Sequence, residues 1–483
     1  MSIRVRPGLW VLAFFGGLAA LSGILDFNGL YGQDAHEYLR WSRALFERLQ
    51  GRSAAPAGPG EAELAGGYPL AAAIFQYFGL GAARALQGLS WLSAAGALWF
   101  FERNLRVLSP GARGSSRWVF GMLTLGLAPC FLRAGLTMMS DAFGLMLAMI
   151  ALFFGLRSIE LQRPRDVVGF AVFAALAITS RYALGLLLAL PALALALERW
   201  RERQRLWLMA ALAAGVLAFL PLWWLWAVVP GSPLGHSLLA DWSVLNFFKR
   251  TFTQASGSVS YLLPNLAYLL FPLMHPWFCL TLPALLLLAK RTDVHLYSKR
   301  ILALSLAVYL LFLGGLAHQN ARYLLPAYAV LLLLLFPAWD RFFAYGLYFF
   351  KRLTCFLIGL TLACQLFFSV RILRPVLARH AFEQEVASLL RADLKPGDRL
   401  YAFDLDIALQ SYLPQLEYHN LWVQRYDSFP PGSYFLFNAP KLRQQWTGQP
   451  PMLNWEHAVT QYNLEEIRQL PEGWVLYRVV KHK

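Results

Sequence analysis

Apolar stretches follow one another along residues 9–370, and short polar segments separate them. A helix needs about 20 apolar residues to cross the hydrocarbon core of a membrane, and we count about eleven stretches of this kind. The chain of 483 residues is 58% hydrophobic and 14% charged, which excludes an ordinary soluble protein of this length. The sequence therefore predicts a polytopic α-helical membrane protein, with about 11 transmembrane helices followed by a small C-terminal α/β soluble domain.

Basic residues indicate which side of the membrane each connection lies on. Twenty of the 43 Lys and Arg residues lie in short segments at every second connection between apolar stretches. Because short basic loops stay in the cytoplasm, these segments mark the inner side, and the formal net charge of +16 is a topology signal. No nucleic-acid partner is expected. The expected location is the bacterial inner membrane, with the C-terminal domain on the extracytoplasmic side.

The apolar pattern divides the chain near residue 371. Residues 1–371 form the predicted transmembrane domain, with outer loops at about 26–67 and 230–264, and residues 372–483 form the predicted extracytoplasmic α/β domain. Because Tyr68–Phe101 is too long for one straight span, we expect Tyr68–Leu80 to lie at the membrane interface. The second domain is predicted to contain two helices and three strands: Phe382–Leu390, Ile407–Tyr412, Arg399–Phe403, Ser433–Phe437 and Trp474–Val480.

Cations on the predicted outer side are not explained by the topology rule. There are six outside the first loop and the tail: Arg84, Arg133, Arg181, Lys249, Arg250 and Arg322. Cations at this depth suit a lipid phosphate, which lies at the same level. The alternative is that these long side chains only reach lipid headgroups. Arg181 and Arg322 are the strongest candidates for a function, because each lies in a tight turn between two spans.

Two carboxylates lie beside the predicted outer membrane surface. Asp34 follows the first span by a few residues, and Asp141 comes directly before the predicted fourth span. A carboxylate at this level could act as a general base toward an acceptor hydroxyl. Each also has a structural alternative. Asp34 and Glu37 form a capping-box pattern that opens a helix at Ala35–Leu49, and Asp141 could cap the fourth span.

Metal and nucleotide signatures are weak. His36 and Glu37 could join a divalent-metal site, but two ligands without a third do not make one. Asp404–Leu405–Asp406 follows a predicted strand and is similar to the DxD motif of nucleotide-sugar enzymes, although such pairs are common at strand ends. The sequence contains no P-loop, HExxH, GxSxG or GxGxxG motif. No cofactor is therefore certain, and a divalent metal is the one left open.

Five segments, taken in order, resemble the GT-C superfamily of membrane glycosyltransferases, in particular its protein-mannosyltransferase-like and aminoarabinose-transferase-like branch. The resemblance covers about residues 9–340. The segments are the acidic first loop at Gly32–Tyr38, then Gly67–Leu70, Met139–Ala142, Leu176–Tyr182 and His318–Pro326. Each motif is loose, but the set in this order is fairly specific. The resemblance implies a GT-C-like fold.

The family moves a sugar from a polyprenyl-phosphate carrier to an acceptor at the outer face, with inversion at the anomeric carbon. The resemblance implies that Asp34 is the first-loop catalytic base, with Glu37 as the alternative, and that Asp141 is a second carboxylate near the sugar. Arg322, with His318 nearby, would match the basic group that binds the carrier phosphate. The other candidates for phosphate binding are Arg181, Arg133, Arg84 and Tyr323. We expect Asp34, Asp141 and Arg322 to converge on one outer cavity that opens to lipid.

Two other functions fit the same sequence. A transporter or flippase of lipid-linked sugars would use the same groove and cations without a base, although such proteins often have repeated halves, which this sequence lacks. A non-catalytic envelope assembly protein would instead bind a partner through its C-terminal domain. The sugar stays open, and so does the acceptor, which could be a glycolipid, a polysaccharide or a protein.

Overall fold

The chain forms two compact units in the computed structural model, which describes residues 7–52, 65–228, 241–254, 257–282, 297–349 and 351–483. The first unit comprises Met1–Gly29, Trp41–Phe248 and Pro264–Arg374, and the second comprises Leu30–Arg40, Lys249–Leu263 and Pro375–Lys483. The second unit thus includes a segment from each of the two predicted outer loops.

Helices make up most of the chain up to residue 393. Their bounds are α1 Pro7–Ile24, α2 Gly32–Leu49, α3 Gly67–Gln76, α4 Ala82–Leu108, α5 Gly114–Phe120, α6 Pro129–Leu136, α7 Ser140–Glu160, α8 Asp166–Ser180, α9 Leu184–Arg201, α10 Arg205–Val228, α11 Asn265–Tyr268, α12 Phe271–Met274, α13 Tyr297–Gly314, α14 Leu324–Phe349 and α15 Lys351–Asp393. A π-helix at Gly121–Gly126 follows α5, and a 3₁₀-helix lies at Val244–Phe248.

Several described helices are long and apolar enough to cross a membrane. There are four by length and composition, within α7, α13, α14 and α15, and five when the bent pair Gly114–Gly126 and Pro129–Leu136 is counted as one span. Shorter apolar helices lie at Gly8–Ile24, Asp166–Ser180 and Arg205–Pro221. The predicted polytopic membrane fold is confirmed, and the number of about eleven spans stays a prediction. Its eighth span, which ends at Leu288, lies partly outside the described residues.

Three details of the predicted helices can be compared with the structure. Helix α3 ends at Gln76 and α4 begins at Ala82, so Tyr68–Phe101 is not one straight helix. This agrees with the prediction that Tyr68–Leu80 is a separate interfacial segment. The third span, predicted at about Trp118–Leu132, is bent by 74° between its two halves. A last span at about Leu353–Val370 and a separate helix at Phe382–Leu390 were predicted. This separation is wrong, because α15 runs without a break for 43 residues.

Helices α4, α7, α8 and α10 pack in that order, each against the next, in the first unit. Small residues set the separations between them. A Cβ atom on Gly155 of α7 would come within 3.0 Å of the Phe170 ring of α8. Because a close-packed interior has no room for that extra carbon, Gly155 allows these two helices to approach each other.

The second unit contains a five-stranded sheet and a separate two-stranded hairpin. The hairpin pairs β1 Thr251–Gln254 with β2 Gly257–Ser260. The sheet strands and their helices are β3 Arg399–Ala402, α16 Asp406–Tyr412, β4 Glu417–Asn420, β5 Tyr434–Phe437, α17 Ala439–Trp446, α18 Pro450–Gln461, β6 Tyr462–Gln469 and β7 Val475–His482. The strand order is β4-β3-β5-β7-β6. Strand β3 is parallel to β4 and β5, whereas β7 is antiparallel to β5 and β6.

Alternating side chains of β3 and of the residue that follows it contribute to a core on each face of this sheet. Leu400 and Ala402 join one core with residues of α15 and α16. Tyr401 and Phe403 join the other core with residues of α17 and α18. The period of two residues places successive side chains on opposite faces, so the sheet lies between two layers of helices. The predicted α/β domain is confirmed, including strands at β3, β5 and β7.

Candidate active site

Asp141 is the second residue of α7 and is almost completely buried, with 2% of its side chain exposed. The residue before the helix, Met139, is extended and makes no side-chain cap. The structural alternative that Asp141 caps this helix is therefore wrong, because α7 begins at Ser140 and the carboxylate has other partners. A buried carboxylate needs charged or hydrogen-bonding partners to stay ionised.

Two guanidinium groups are the partners of the Asp141 carboxylate. Arg322 donates from Nε to Oδ2 of Asp141 at 2.9 Å, and Arg181 donates from Nη1 to Oδ1. The arginines are themselves largely enclosed, with 18% and 9% of their side chains exposed. Two positive charges against one negative charge leave this group with a formal surplus of one positive charge.

Arg181 owes its position to the end of α8 and to a glycine of α7. It follows the last residue of α8, and its extended backbone turns the chain toward α9. A Cβ atom on Gly144 would come within 3.1 Å of Cδ of Arg181 and of Cδ1 of Leu184. The glycine therefore leaves the space through which Arg181 reaches Asp141. The ring of Tyr323 lies 5.1 Å from the guanidinium carbon, a cation–π contact.

Arg322 lies in a turn that two phenol groups hold. Tyr268 donates to the carbonyl of Asn320 at 2.5 Å, and Tyr309 donates to the carbonyl of Tyr323 at 2.9 Å. Within the turn, the backbone N–H of Arg322 donates to Oδ1 of Asn320 at 3.1 Å. His318 contributes an edge-to-face ring contact with Tyr323. These bonds fix the backbone on both sides of Arg322.

A small cavity lies beside Asp141 and Arg322. Arg133 also lines it, with its guanidinium carbon 5.1 Å from the centre of the Trp277 ring. The remaining walls are mostly apolar: Cys130, Ala134, Thr137, Met139 and Leu325. The structure thus brings together four of the predicted site residues, Asp141, Arg133, Arg181 and Arg322, and it places Tyr323 and His318 in the same turn.

The first-loop carboxylates belong to the second unit. Helix α2 begins at Gly32, three residues before the predicted start at Ala35, so Asp34 lies in the first turn and does not precede the helix. Asp34 is half-buried and Glu37 is buried. The expected convergence of Asp34 with Asp141 and Arg322 stays a prediction. Arg84, another predicted phosphate ligand, is exposed in the first turn of α4.

Neither metal candidate forms a ligand cluster. Among the described residues, no group of three or more His, Cys, Asp and Glu side chains could hold a metal ion. In the DxD-like segment, Asp404 pairs with Arg379 and Lys441, while Asp406 accepts a 2.6 Å hydrogen bond from the Asn420 amide. Burial raises the pKa of Asp406 to about 6. Both carboxylates therefore have protein partners, and the divalent metal stays a prediction.

Sequence reasoning missed the residues that support the charged ones. Trp277 stacks against Arg133, Gly144 makes room for Arg181, and Tyr268 and Tyr309 hold the turn of Arg322. The only signal for the tyrosines was a polar atom inside an apolar stretch, since a buried phenol usually needs a hydrogen-bond partner.

No protein-family model matches the chain, and no curated protein matches it. Solved structures do match. The crystal structure of ArnT from Cupriavidus metallidurans bound to undecaprenyl phosphate is similar with a TM-score of 0.64 at 14% identity, covering 97% of this chain and 97% of that chain. The chain has the ArnT fold. The apo structure of the same protein gives a TM-score of 0.62, again at 14% identity and with 97% of both chains covered.

The similarity to ArnT extends over both units, since almost the whole of each chain is covered. It confirms the predicted GT-C-like fold, with a polytopic membrane part and a C-terminal domain that contains a sheet. At 14% identity the similarity to ArnT establishes the fold. The reaction has to be argued from the site.

Proposed function

We propose that this protein is a polyprenyl-phosphate-sugar-dependent glycosyltransferase, which moves a sugar from a lipid-linked donor to an acceptor at the outer face of the membrane. The observation that carries the proposal is the cluster of Arg181, Arg322 and Asp141 beside a cavity that Arg133 also lines. The ArnT fold supports it, because one of the similar ArnT structures is bound to undecaprenyl phosphate. A bacterial inner-membrane location is part of the same proposal.

The charge balance favours a phosphate over a neutral ligand. Three guanidinium groups face one carboxylate, which leaves a formal surplus of two positive charges for these four side chains. Guanidinium groups bind phosphate oxygens through paired, charge-assisted hydrogen bonds. The apolar walls of the cavity suit the part of a donor that adjoins its lipid tail. A lipid-linked sugar phosphate combines both properties.

The same surplus charge would accelerate the reaction. In the donor, the phosphate carries one negative charge, because it is esterified to both lipid and sugar. When the bond to the sugar breaks, the phosphate gains charge and approaches about two negative charges. Fixed cations therefore stabilise the leaving group more than they stabilise the donor, which is the condition for lowering the barrier.

Asp141 has the wrong surroundings for a base. Each of its carboxylate oxygens accepts a hydrogen bond from a guanidinium group, and such bonds favour the ionised form over the protonated one. We assign it the role of holding Arg181 and Arg322 beside the cavity. This role places Asp141 on the side of the leaving phosphate.

Asp34 is the proposed base, and Glu37 is its alternative. The two are three residues apart in α2, so they lie on neighbouring positions of one helix face. In an inverting displacement, the carboxylate takes the proton of the acceptor hydroxyl on the face of the sugar opposite the phosphate. The acceptor oxygen forms a bond with the anomeric carbon, and the electron pair of the breaking bond leaves on the phosphate oxygen.

The test uses the purified full-length protein in lipid nanodiscs with a radiolabelled undecaprenyl-phosphate-linked sugar and candidate acceptors. Wild type is expected to consume the donor and to label the acceptor. Asp34→Asn is expected to lower kcat about 1,000-fold, within the range that acid–base groups and their positioning contribute. Arg322→Gln is expected to raise the KM for the donor as well. A parallel assay with EDTA tests the divalent-metal prediction.

The outcomes separate the competing functions. Equal turnover by wild type and Asp34→Asn would remove Asp34 as the base, and a loss confined to Glu37→Gln would assign the role to Glu37. Movement of lipid-linked sugar across sealed vesicles without loss of the sugar–phosphate bond would establish the transporter. Absence of both activities, with the donor and every acceptor class supplied, would favour the assembly protein.

A further inference from the structure

His36 is completely buried in the second unit, and both of its ring nitrogens have partners there. Nε2 lies 3.1 Å from Oε2 of Glu383 in α15, and Nδ1 lies 2.9 Å from Oγ of Ser411 in α16. The Glu383 side chain is also fully buried. The two partners are brought to His36 from 347 and 375 residues away. A buried polar group with partners on both sides is fixed in position and in ring orientation.

A second contact between α2 and α16 lies one helical turn further along α2. Arg40 donates from Nη1 to Oε1 of Gln410 at 2.7 Å. The ring of Tyr412 packs edge-on against His36, with 5.4 Å between ring centres. Residues four apart in a helix lie on one face, so three consecutive residues of α16 contact a single face of α2.

Glu383, the partner of His36, is itself fixed by a hydrogen bond from Arg379. Arg379 donates to Oε1 of Glu383 at 2.6 Å, and the same guanidinium bonds to Asp404 after β3. The carboxylate of Glu383 therefore has one oxygen on Arg379 and the other on His36. A carboxylate oxygen accepts and a hydroxyl can donate, so the two partners match a ring that donates from Nε2 and accepts at Nδ1. These contacts connect α2 through α15 to Asp404, which lies just beyond the C-terminal end of β3.

Two other readings of these side chains fit less well. A serine, a histidine and a glutamate also make up hydrolase triads. However, Ser411 lies in the last turn of α16, where the backbone presents carbonyl oxygens and not the N–H groups that would stabilise an oxyanion. A metal ligand is the second reading. It would need one ring nitrogen of His36, and both nitrogens already contact protein atoms.

We infer that the C-terminal part of the chain positions the N-terminal half of α2 through His36, and that His36 is thereby a positioning residue for the reaction. The inference rests on the proposed function, because the base candidates Asp34 and Glu37 lie in the same turn of α2 as His36. His36 does not touch the reacting atoms. It holds the turn that carries the carboxylates, so its loss changes their placement and leaves the cations of the donor site unaltered.

The first measurement does not depend on activity. Amide hydrogen exchange of residues 32–40 is compared in full-length protein in detergent micelles for wild type, His36→Gln and the milder Ser411→Ala. His457→Gln is the matched control, because His457 also makes a 3.1 Å bond, to the carbonyl of Tyr426, in the same unit. We expect exchange about 10-fold faster in His36→Gln, a smaller increase in Ser411→Ala and no change in the control.

The second measurement is donor turnover by the same proteins. We expect kcat of His36→Gln to fall about 100-fold, because a displacement of about 1 Å can cost that much. The KM for undecaprenyl-phosphate-linked sugar should stay within about 2-fold, since the cations that bind the phosphate are untouched. A protein that is merely less stable would lose kcat in proportion to its folded fraction, which size-exclusion chromatography measures.

Different failures point to different proposals. Unchanged exchange in residues 32–40 overturns the idea that the C-terminal part holds α2. Faster exchange with wild-type kcat overturns the positioning role. If wild type itself turns over no donor, the proposed function fails and the positioning role for that reaction fails with it, while the exchange rates still decide whether His36 holds the helix.

Discussion

Two carboxylates are equally buried in this protein and have opposite surroundings. Asp141 in the first unit has 2% of its surface exposed, and Asp406 in the second has 1%. Asp141 contacts two guanidinium groups, whereas Asp406 accepts a hydrogen bond from the neutral amide of Asn420. Burial disfavours ionisation in both. The charge of the partner, more than the depth of burial, therefore decides what a buried acid can do.

The consequence differs in each unit. The ion cluster around Asp141 carries surplus positive charge beside a cavity, which suits it to an anionic ligand. Asp406 lies at the start of α16 and contacts the last residue of β4, so it links two elements of the domain. Its pKa is raised to about 6. Asp406 therefore loses its proton as the pH rises through about 6, and this ionisation lowers the free energy of unfolding.

The largest effect is expected for Asp141→Asn. The variant leaves two enclosed guanidinium groups without their carboxylate, and breaking a buried ion pair in this way typically costs about 3–5 kcal/mol. Thermal unfolding in detergent micelles measures the loss. The double variant Asp141→Asn/Arg322→Gln is the control, because it removes one of the stranded cations and should be less destabilised than the sum of the two single variants. Strict additivity would show that the cluster is not coupled.

An intermediate and pH-dependent effect is expected for Asp406→Asn. The folded pKa of about 6 lies above the model value of 3.8. The stability linked to the neutral form is therefore complete below about pH 4 and is lost as the pH rises through about 6. A shift of about two units corresponds to about 3 kcal/mol. We expect this loss to disappear in Asp406→Asn, with unfolding midpoints measured between about pH 4 and pH 7. A slope equal to that of wild type would contradict the assignment.

The smallest effect is expected for Lys441→Ala. Lys441 and Asp404 have 44% and 29% of their side chains exposed, and Nζ of Lys441 lies 3.3 Å from Oδ2 of Asp404. Exposed pairs of this kind contribute about 1 kcal/mol or less, and Asp404 keeps its contact with Arg379. Arg379→Gln provides the contrast, because that guanidinium also holds the buried Glu383. The comparison between buried and exposed charge fails if the two variants unfold at the same temperature.

Local properties of the sequence were enough to predict the helices. Apolar length predicted spans at about 142–156, 167–179 and 206–229, within a few residues of the observed α7, α8 and α10. It could do so because hydropathy is a property of each stretch alone. The same signal failed at residue 371. Hydropathy reports where apolar residues end, and α15 continues as a helix through polar residues beyond that point. Strand β4 was missed because its four residues depend on pairing with β3.

Local sequence patterns did not predict contacts across long sequence separations. The positive charge of Arg181 and Arg322 on the predicted outer side marked them as candidates. Local patterns did not indicate their common partner, because Asp141 is separated from them by 40 and 181 residues. The family resemblance alone predicted that Asp141 and Arg322 lie together. His36 was read as a possible metal ligand beside Glu37. No local pattern indicates that one of its ring nitrogens contacts a glutamate 347 residues away.

The two phenol hydrogen bonds at the turn of Arg322 have a kinetic consequence. Tyr268 and Tyr309 donate to the backbone carbonyls of Asn320 and Tyr323, and because both bonds join protein atoms, neither requires a ligand. A lipid-linked donor diffuses in the plane of the bilayer and meets this turn in an ordered state. Because the turn is already ordered, binding of the donor carries little entropic cost from ordering the protein. Capture of the proposed donor would be limited by lateral diffusion and orientation, without a wait for the turn to form.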